Sequence, residues 1–276
     1  MHKRTKLWSS LSLAALVGGS AVSQAAEDER LLLAASAVDA GQAVAAAGSE
    51  GEGEGEGAVA QDPATNDVAY LTQLGLMRGH LLVGLELYRQ GHIEHARTHM
   101  KHPKSELYAN LQPAFDTRKA AGFARQLEAL AAAVEGDDSE RASVEAAYEA
   151  VLAGIGQAES HTAKLPPAAR LQVAVNLVRT AADEYGIGVV EAKVVNAHEY
   201  QDAYGFTNVA QDMVGQMDAA GDAGLADTLA QVRGLIQSLF DANAWPAIMP
   251  PDTVGVDASL LYGAAARIEI VALGLY

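Results

Sequence analysis

Apolar residues recur at helical spacing along almost the whole chain from Asn66 onward, and this periodicity constrains the fold most. Side chains three or four positions apart lie on one face of a helix. The alternating pattern typical of strands is nearly absent. The sequence therefore predicts an all-α protein composed of helical bundles. The first apolar face consists of Tyr70, Leu74, Met77, Leu81 and Leu85.

Capping and turn residues divide this periodic region. Pro103 should stop the second helix, because a proline pushes the preceding residue out of the α region. Asn196, followed by Glu199, has the pattern of a capping box, and the stretch 186–195 should bend or break. The predicted helices cover 66–91, 92–101, 105–119, 122–134, 140–160, 167–185, 196–217 and 225–240, and a final short helix follows a break at 246–251.

The N-terminus has the pattern of a cleavable secretory signal peptide. Lys3, Arg4 and Lys6 precede an apolar run from Leu7 to about Gly18, and small residues follow up to Ala25. A run of about a dozen residues is shorter than the ~20 that a membrane-spanning helix needs. We predict cleavage after about Ala25. Because the chain contains no cysteine, a bacterial periplasm is the compartment that fits best.

Residues 48–57 read GSEGEGEGEG. Alternating Gly and Glu combine high backbone entropy with like-charge repulsion, which predicts a disordered tether. A Ca²⁺ site is disfavoured there, since hard cations need a preorganised oxygen cage. The predicted organisation is a signal peptide at 1–25, an Ala-rich segment and disordered Gly/Glu linker at 26–62, a His-rich helical bundle at 63–136 and a second helical bundle at 137–276.

The chain is acidic, with a formal net charge of -16. Such a field disfavours nucleic acid and anionic lipid surfaces as partners and favours cations. The apolar stretch at 259–276 contains Arg267 and Glu269, so we predict no membrane-spanning helix in the mature protein.

Histidines are concentrated between residues 80 and 102. Imidazoles three or four residues apart on a helix can present two ligands to a transition metal ion, and Glu106 could join them from the next helix. The alternative is a polar, partly exposed helix face without a metal. His80, on the preceding helix, is by itself more typical of a hydrogen-bonded core residue. The predicted metal-binding stripe consists of His92, His95, His99 and His102.

A second group of polar residues lies around 183–202. His198 and Asp202 are four residues apart and so share one helix face, and Glu184 lies on the preceding helix. A mixture of carboxylate and imidazole suits iron or another borderline cation. Glu184 and His198 are therefore candidate metal ligands, whereas Glu199 has a competing role as a capping residue.

Several short motifs carry a family resemblance. The residues Asp183-Glu184-Tyr185, the run EAKVVN at 191–196, Glu199-Tyr200-Gln201 and Phe206 resemble the exported helical domain of bacterial members of the oxidase-dependent iron permease family. The segments Tyr88-Arg89-Gln90-Gly91 and Glu106-Leu107-Tyr108, with Ala96 between them, are similar to the Tyr-x-x-Gly and acidic-aromatic motifs of the same helices.

The chain also departs from that family's pattern. Ala192 stands where the pattern has Gly, and both the permeation motif of the membrane helices and the Cys-x-x-Cys-His haem attachment are missing. The resemblance implies a free-standing periplasmic module connected with iron or another metal. It does not explain the histidine stripe.

Three function classes follow from these observations. The leading hypothesis is a periplasmic metal-binding or metal-handling protein, with iron as the favoured ion. The second is a non-catalytic helical interaction module that serves a membrane permease or envelope protein. A hydrolase is disfavoured, since the chain has no Gly-x-Ser-x-Gly elbow, no cysteine and no His-Glu-x-x-His motif. We therefore predict that the protein is not an enzyme.

Overall fold

The computed structural model describes residues 61–136 and 141–275. The predicted signal peptide, the Gly/Glu linker up to residue 60 and the predicted bundle boundary near 137 lie outside these residues. Most of the described chain is helical and almost none of it is strand, which confirms the all-α prediction. The helices are α1 Asp67–Arg89, α2 Ile93–His102, α3 Ala109–Arg118, α4 Ala124–Glu135, α5 Arg141–Glu159, α6 Pro167–Gly188, α7 Ala197–Gly215, α8 Ala223–Asp241 and α9 Ala258–Leu273.

Side-chain caps define where several helices begin. The Asn66 side chain accepts a hydrogen bond from the backbone N–H of Ala69 at the start of α1. The Asn196 side chain accepts one from the His198 N–H at 3.0 Å, which confirms the predicted start of α7. Glu199 interacts with the side chain of this cap, since Asn196 Nδ2 donates to Glu199 Oε1 at 3.4 Å.

Helix α2 ends at His102, directly before Pro103 as predicted, but the chain does not leave the helical region there. The chain continues from α2 through a π-helical segment, Pro103–Tyr108, directly into α3, and Pro103 itself has helical angles of φ -54° and ψ -31°. A π-helix has wider hydrogen-bonded turns than an α-helix. It can therefore accommodate a proline, which has no N–H to donate and whose ring crowds the preceding turn.

The stretch after α6 breaks the helix, as predicted, and forms a small hairpin. Strand β1, Val189–Val190, pairs antiparallel with β2, Lys193–Val194. The two turn residues, Glu191 and Ala192, have φ angles of 51° and 63°. Positive φ at both central positions is typical of a type I′ turn, where glycine or asparagine is favoured. Ala192 thus occupies a left-handed position with a side chain.

Helices α6 to α9 form a closed four-helix arrangement. Helix α6 packs against α7 and α9, and α8 packs against the same two helices. Helix α1 packs on α6 and α7, and α2 packs on α1. None of the described helices is long and apolar enough to cross a bilayer.

Helices α1 and α7 approach each other closely at a pair of glycines. A Cβ atom on Gly205 would lie 2.5 Å from the Gly79 carbonyl oxygen and 2.8 Å from Val83 Cγ2. The two backbones can pass this close to each other because neither glycine carries a side chain. The contact places His80, the residue after Gly79, beside the turn of α7 that precedes Gly205.

Candidate metal centre

Three helices converge on one buried carboxylate, Asp202 of α7. His80 of α1 and His99 of α2 both approach its Oδ1 atom, with Nδ1–Oδ1 distances of 2.6 and 3.1 Å. On the other oxygen, His198 Nδ1 lies 3.1 Å from Oδ2. The side chains of His80, His99 and Asp202 are at most 1% exposed. The arrangement is therefore a buried cluster of imidazoles around a single carboxylate.

Close helix packing brings these side chains together. His80 follows Gly79, at the point where α1 meets α7. On the other side of α1, Gly84 gives α2 room to approach, because a Cβ atom there would lie 3.4 Å from His99 Cβ and 2.7 Å from Met100 Cγ. His198 and Asp202 are one helical turn apart on α7. Helix α1 is thus held between α2 and α7 by residues that lack side chains.

Gln201 determines which nitrogen of His99 carries the proton. Its Nε2 atom donates to the Ile248 carbonyl at 3.1 Å, so Oε1 is the end of the amide that faces His99 Nε2, at 2.9 Å. Because Oε1 can only accept, the hydrogen must be on His99 Nε2. In the neutral ring, Nδ1 therefore carries a lone pair, and this is the atom that faces Asp202.

The electrostatics of the cluster favour a neutral imidazole beside an ionised carboxylate. Burial lowers the pKa of His99, although the charge of Asp202 acts to raise it. Burial alone would raise the pKa of Asp202, but the surrounding imidazoles, above all His80 and His99, hold it well below its ordinary value. Neutral imidazole and ionised carboxylate are the states in which these groups ligate metals.

The cluster becomes more exposed toward His102 and Glu106. The His102 ring lies 4.4 Å from the His198 ring and 6.2 Å from the His80 ring, measured between centroids. Its Nδ1 atom is 3.6 Å from Glu106 Oε2. The side chains of His198, His102 and Glu106 are 16%, 20% and 36% exposed.

Two groups of side chains have potential ligand atoms that all lie within 4.8 Å of one another. The first consists of His80, His99 and Asp202, and the second of His198, Glu199 and Asp202. Glu199 is itself buried, at 4% exposure. Asp202 is common to both groups.

Of the predicted ligands, the structure brings His99, His102 and His198 together, with Glu106 at the edge of the cluster. His92 and His95 lie farther back along α2, and neither belongs to the two potential ligand groups found among the described residues. Glu184 is buried on α6 outside these groups. The pKa of Tyr262 is raised to about 12, mainly by its hydrogen bond to Asp183, and the charge of Glu184 makes the smallest contribution.

Sequence reasoning did not assign His80 and Asp202 as ligands. His80 is buried, as its interpretation as a core residue expected, and it also contacts the cluster. The sequence contains one indication for each residue. His80 is the only polar residue in the stretch 79–85, and Asp202 is four residues from His198.

A separate cleft of about 570 Å³ lies among α1, α5, α6 and α7. Its lining is apolar with charged side chains at intervals, including Arg78, Lys164 and Arg170. Arg78 is held there by Glu159, with Nε–Oε1 and Nη2–Oε2 distances of 2.9 Å. None of the cluster's histidines lines this cleft.

Comparison with known proteins gives one match. Residues 160–268 match the family model of the iron permease-associated 4-helix bundle domain, and these residues contain α6, α7 and α8 and most of α9. No curated protein and no solved structure matches the chain. The family is related to transport rather than catalysis. The predicted resemblance is thus confirmed for residues 160–268, which match the iron permease-associated 4-helix bundle domain.

Proposed function

We propose that this is a periplasmic protein that binds a transition metal ion, with iron as its physiological ion, and that it handles the ion for a membrane permease without catalysing a reaction. The first binding group is His80, His99 and Asp202. The family of the 160–268 domain supports the connection with iron permeases. The observation that carries the proposal is the contact between His99 Nδ1 and Asp202 Oδ1.

This contact brings two electron-rich atoms together inside the protein. Gln201 keeps the proton of His99 on Nε2, so a nitrogen lone pair faces a carboxylate oxygen at 3.1 Å. Both side chains are excluded from water. When the His99 ring is neutral, a cation bound by both atoms replaces this repulsion with two ligand bonds and offsets the charge of the buried carboxylate.

The donor set and its surroundings fit a borderline cation. Imidazole and carboxylate together suit iron, zinc and other first-row ions better than soft Cu(I), which prefers sulfur ligands. The partly exposed pair His102 and Glu106 lies at the more exposed side of the cluster, where we expect an ion to approach. The formal net charge of -16 attracts cations toward the protein. These features support uptake of an ion from solvent.

The test compares two histidines of the same helix. The protein should be purified without a nickel affinity step and its metal content measured by mass spectrometry. We expect His99→Ala to lower the affinity for Fe²⁺ by about 10-fold or more, since loss of a residue that merely supports a ligand already costs about that much.

His95→Ala is the matched control, because His95 lies one turn earlier on α2 and outside the ligand groups. Its affinity for Fe²⁺ should remain that of the unmodified protein. Circular dichroism would verify that both variants are folded. Equal affinities for Fe²⁺ in folded His99→Ala and in the unmodified protein would contradict the proposed site.

A second candidate function, the helical interaction module, is favoured by an apolar surface on α9. Tyr262, Ile270 and Leu273 lie on one face of this helix and are 46%, 68% and 61% exposed. We propose a membrane iron permease as the partner. Ile270→Glu with Leu273→Glu should abolish co-purification with the permease while metal binding is retained. Ile187→Glu, at an exposed apolar residue outside α9, is the control.

A further inference from the structure

We infer that the centre holds two metal ions bridged by Asp202, one on each carboxylate oxygen. The first ion is bound by His80, His99 and Oδ1, and the second by His198, Glu199 and Oδ2. This inference rests on the proposed function, because it adds a second ion to the same cluster.

The first argument is the division of the imidazoles between the two oxygens. His80 and His99 approach Oδ1, whereas His198 approaches Oδ2. A carboxylate that binds one ion through one oxygen leaves its second oxygen available for another ion. The distribution of nitrogen donors around Asp202 matches such a bridge.

The second argument is the relative orientation of the His99 and His198 rings. Their centroids are 4.0 Å apart, and their planes are 5° from parallel. An imidazole lone pair lies in the plane of its ring, so an ion bound by one ring lies in that plane. The same ion would then lie well outside the plane of the other ring. A single ion cannot be bound well by both rings.

Two ions remove this conflict. Ions that share a bridging ligand in two-metal sites are about 3.5–4 Å apart, which is close to the 4.0 Å between these ring centroids. Each ring can then bind its own ion in its own plane. Glu199 completes the second group, since its oxygen lies within 4.8 Å of the donor atoms of His198 and Asp202.

The two positions differ in their access to solvent. The first is enclosed by His80 and His99, whose side chains are at most 1% exposed, whereas the His198 side chain of the second position is 16% exposed. The second position also lies nearer His102, whose ring is 4.4 Å from that of His198. The ion at the second position should therefore exchange faster with solvent.

The experiment is a titration of the metal-free protein with Co²⁺, followed by visible absorption and electron paramagnetic resonance. We expect two Co²⁺ ions per chain and a resonance signal weakened by magnetic coupling between them. Two matched substitutions on α7 separate the positions. His198→Ala should bind one Co²⁺ with an uncoupled signal. Asp202→Asn should lose the coupling, because a neutral carboxamide does not bridge two cations as a carboxylate does.

Each outcome of the titration supports or overturns the inference. Two coupled ions, reduced to one by His198→Ala, support the inference. Two ions without coupling overturn the bridge, and a single ion that is retained in His198→Ala overturns the second position while the proposed function stands. No bound Co²⁺, Fe²⁺ or Zn²⁺ overturns both. Circular dichroism of each variant identifies a loss of binding that is caused by unfolding.

Discussion

The four-helix bundle α6–α9 and the helices that precede it differ in what they contribute to the proposed metal centre. The bundle supplies the central carboxylate, Asp202, together with His198 and Glu199. Helices α1 and α2 supply His80 and His99. The family match begins at residue 160, after these helices, and covers α6, α7, α8 and most of α9. The matched residues thus contain the acidic half of the proposed centre, whereas the two most buried imidazoles come from outside the match.

The proposed centre therefore depends on the docking of one region on the other. Among the described residues, both imidazoles that approach Asp202 Oδ1 come from α1 and α2. Changes at the contact between α1 and α7 should therefore affect metal binding even where no ligand is altered.

The largest effect is expected from Gly205→Ala. The added methyl group would lie 2.5 Å from the Gly79 carbonyl oxygen, which is backbone and cannot move aside as a side chain would. We expect a loss of about 3 kcal/mol in the free energy of unfolding, at the upper end of overpacking effects, together with loss of metal at the His80 position. Urea denaturation and metal analysis would measure both.

Gly215→Ala is the control for this substitution. Gly215 is the last residue of the same helix, and no neighbouring atom lies within 4 Å of its added Cβ. Alanine there should leave the free energy of unfolding unchanged or raise it by up to about 1 kcal/mol. Similar destabilisation by both substitutions would mean that the crossing of α1 and α7 is not the cause.

A smaller effect is expected from Gln201→Leu, which keeps the approximate volume of the side chain but removes its hydrogen bonds to His99 and the Ile248 carbonyl. Residues that orient metal ligands in this way contribute about 10- to 100-fold to metal affinity. We expect a loss of Fe²⁺ affinity in this range by isothermal titration calorimetry. Gln211→Leu, on the same helix but bonded to Gln237 near the surface, should leave the affinity unchanged.

The smallest effect is expected within the bundle region itself, at the hairpin. Ala192→Gly should raise the free energy of unfolding by about 0.5–1 kcal/mol, because a left-handed conformation strains a residue that has a Cβ atom. Thermal and urea denaturation would detect the change, and metal affinity should be unaffected. Ala163→Gly, in a loop residue without positive φ, should be destabilising instead, by about 0.4–1 kcal/mol.

The sequence predicts helices better than it predicts how they pack. Periodicity and the Asn196 cap place α7 correctly, because both depend on residues within a few positions of each other. The chain stays helical through Pro103, contrary to the expectation, because the effect of a proline on the backbone depends on whether neighbouring packing supports a wider turn. Likewise, the spacing of His99 and His102 indicates that they share one face of α2, but it does not show which other helices that face contacts.

His80 illustrates the same limit for the candidate site. Its distance from Asp202 depends on the docking of α1 against α7 at Gly79 and Gly205, 126 positions apart in the numbering of the chain. No local pattern encodes such a pairing. The prediction that His92 and His95 bind a metal ion remains a prediction, as does that for Glu184.

The amide of Gln201 has a consequence for how an ion can bind. The oxygen of the amide accepts from His99, and its nitrogen donates to the Ile248 carbonyl in the connection between α8 and α9. If the amide rotated by 180°, its N–H groups would face the N–H of His99 and its oxygen would face the carbonyl. In the proposed centre, an ion can therefore bind His99 only through Nδ1, because binding through Nε2 would break the hydrogen bond to Gln201.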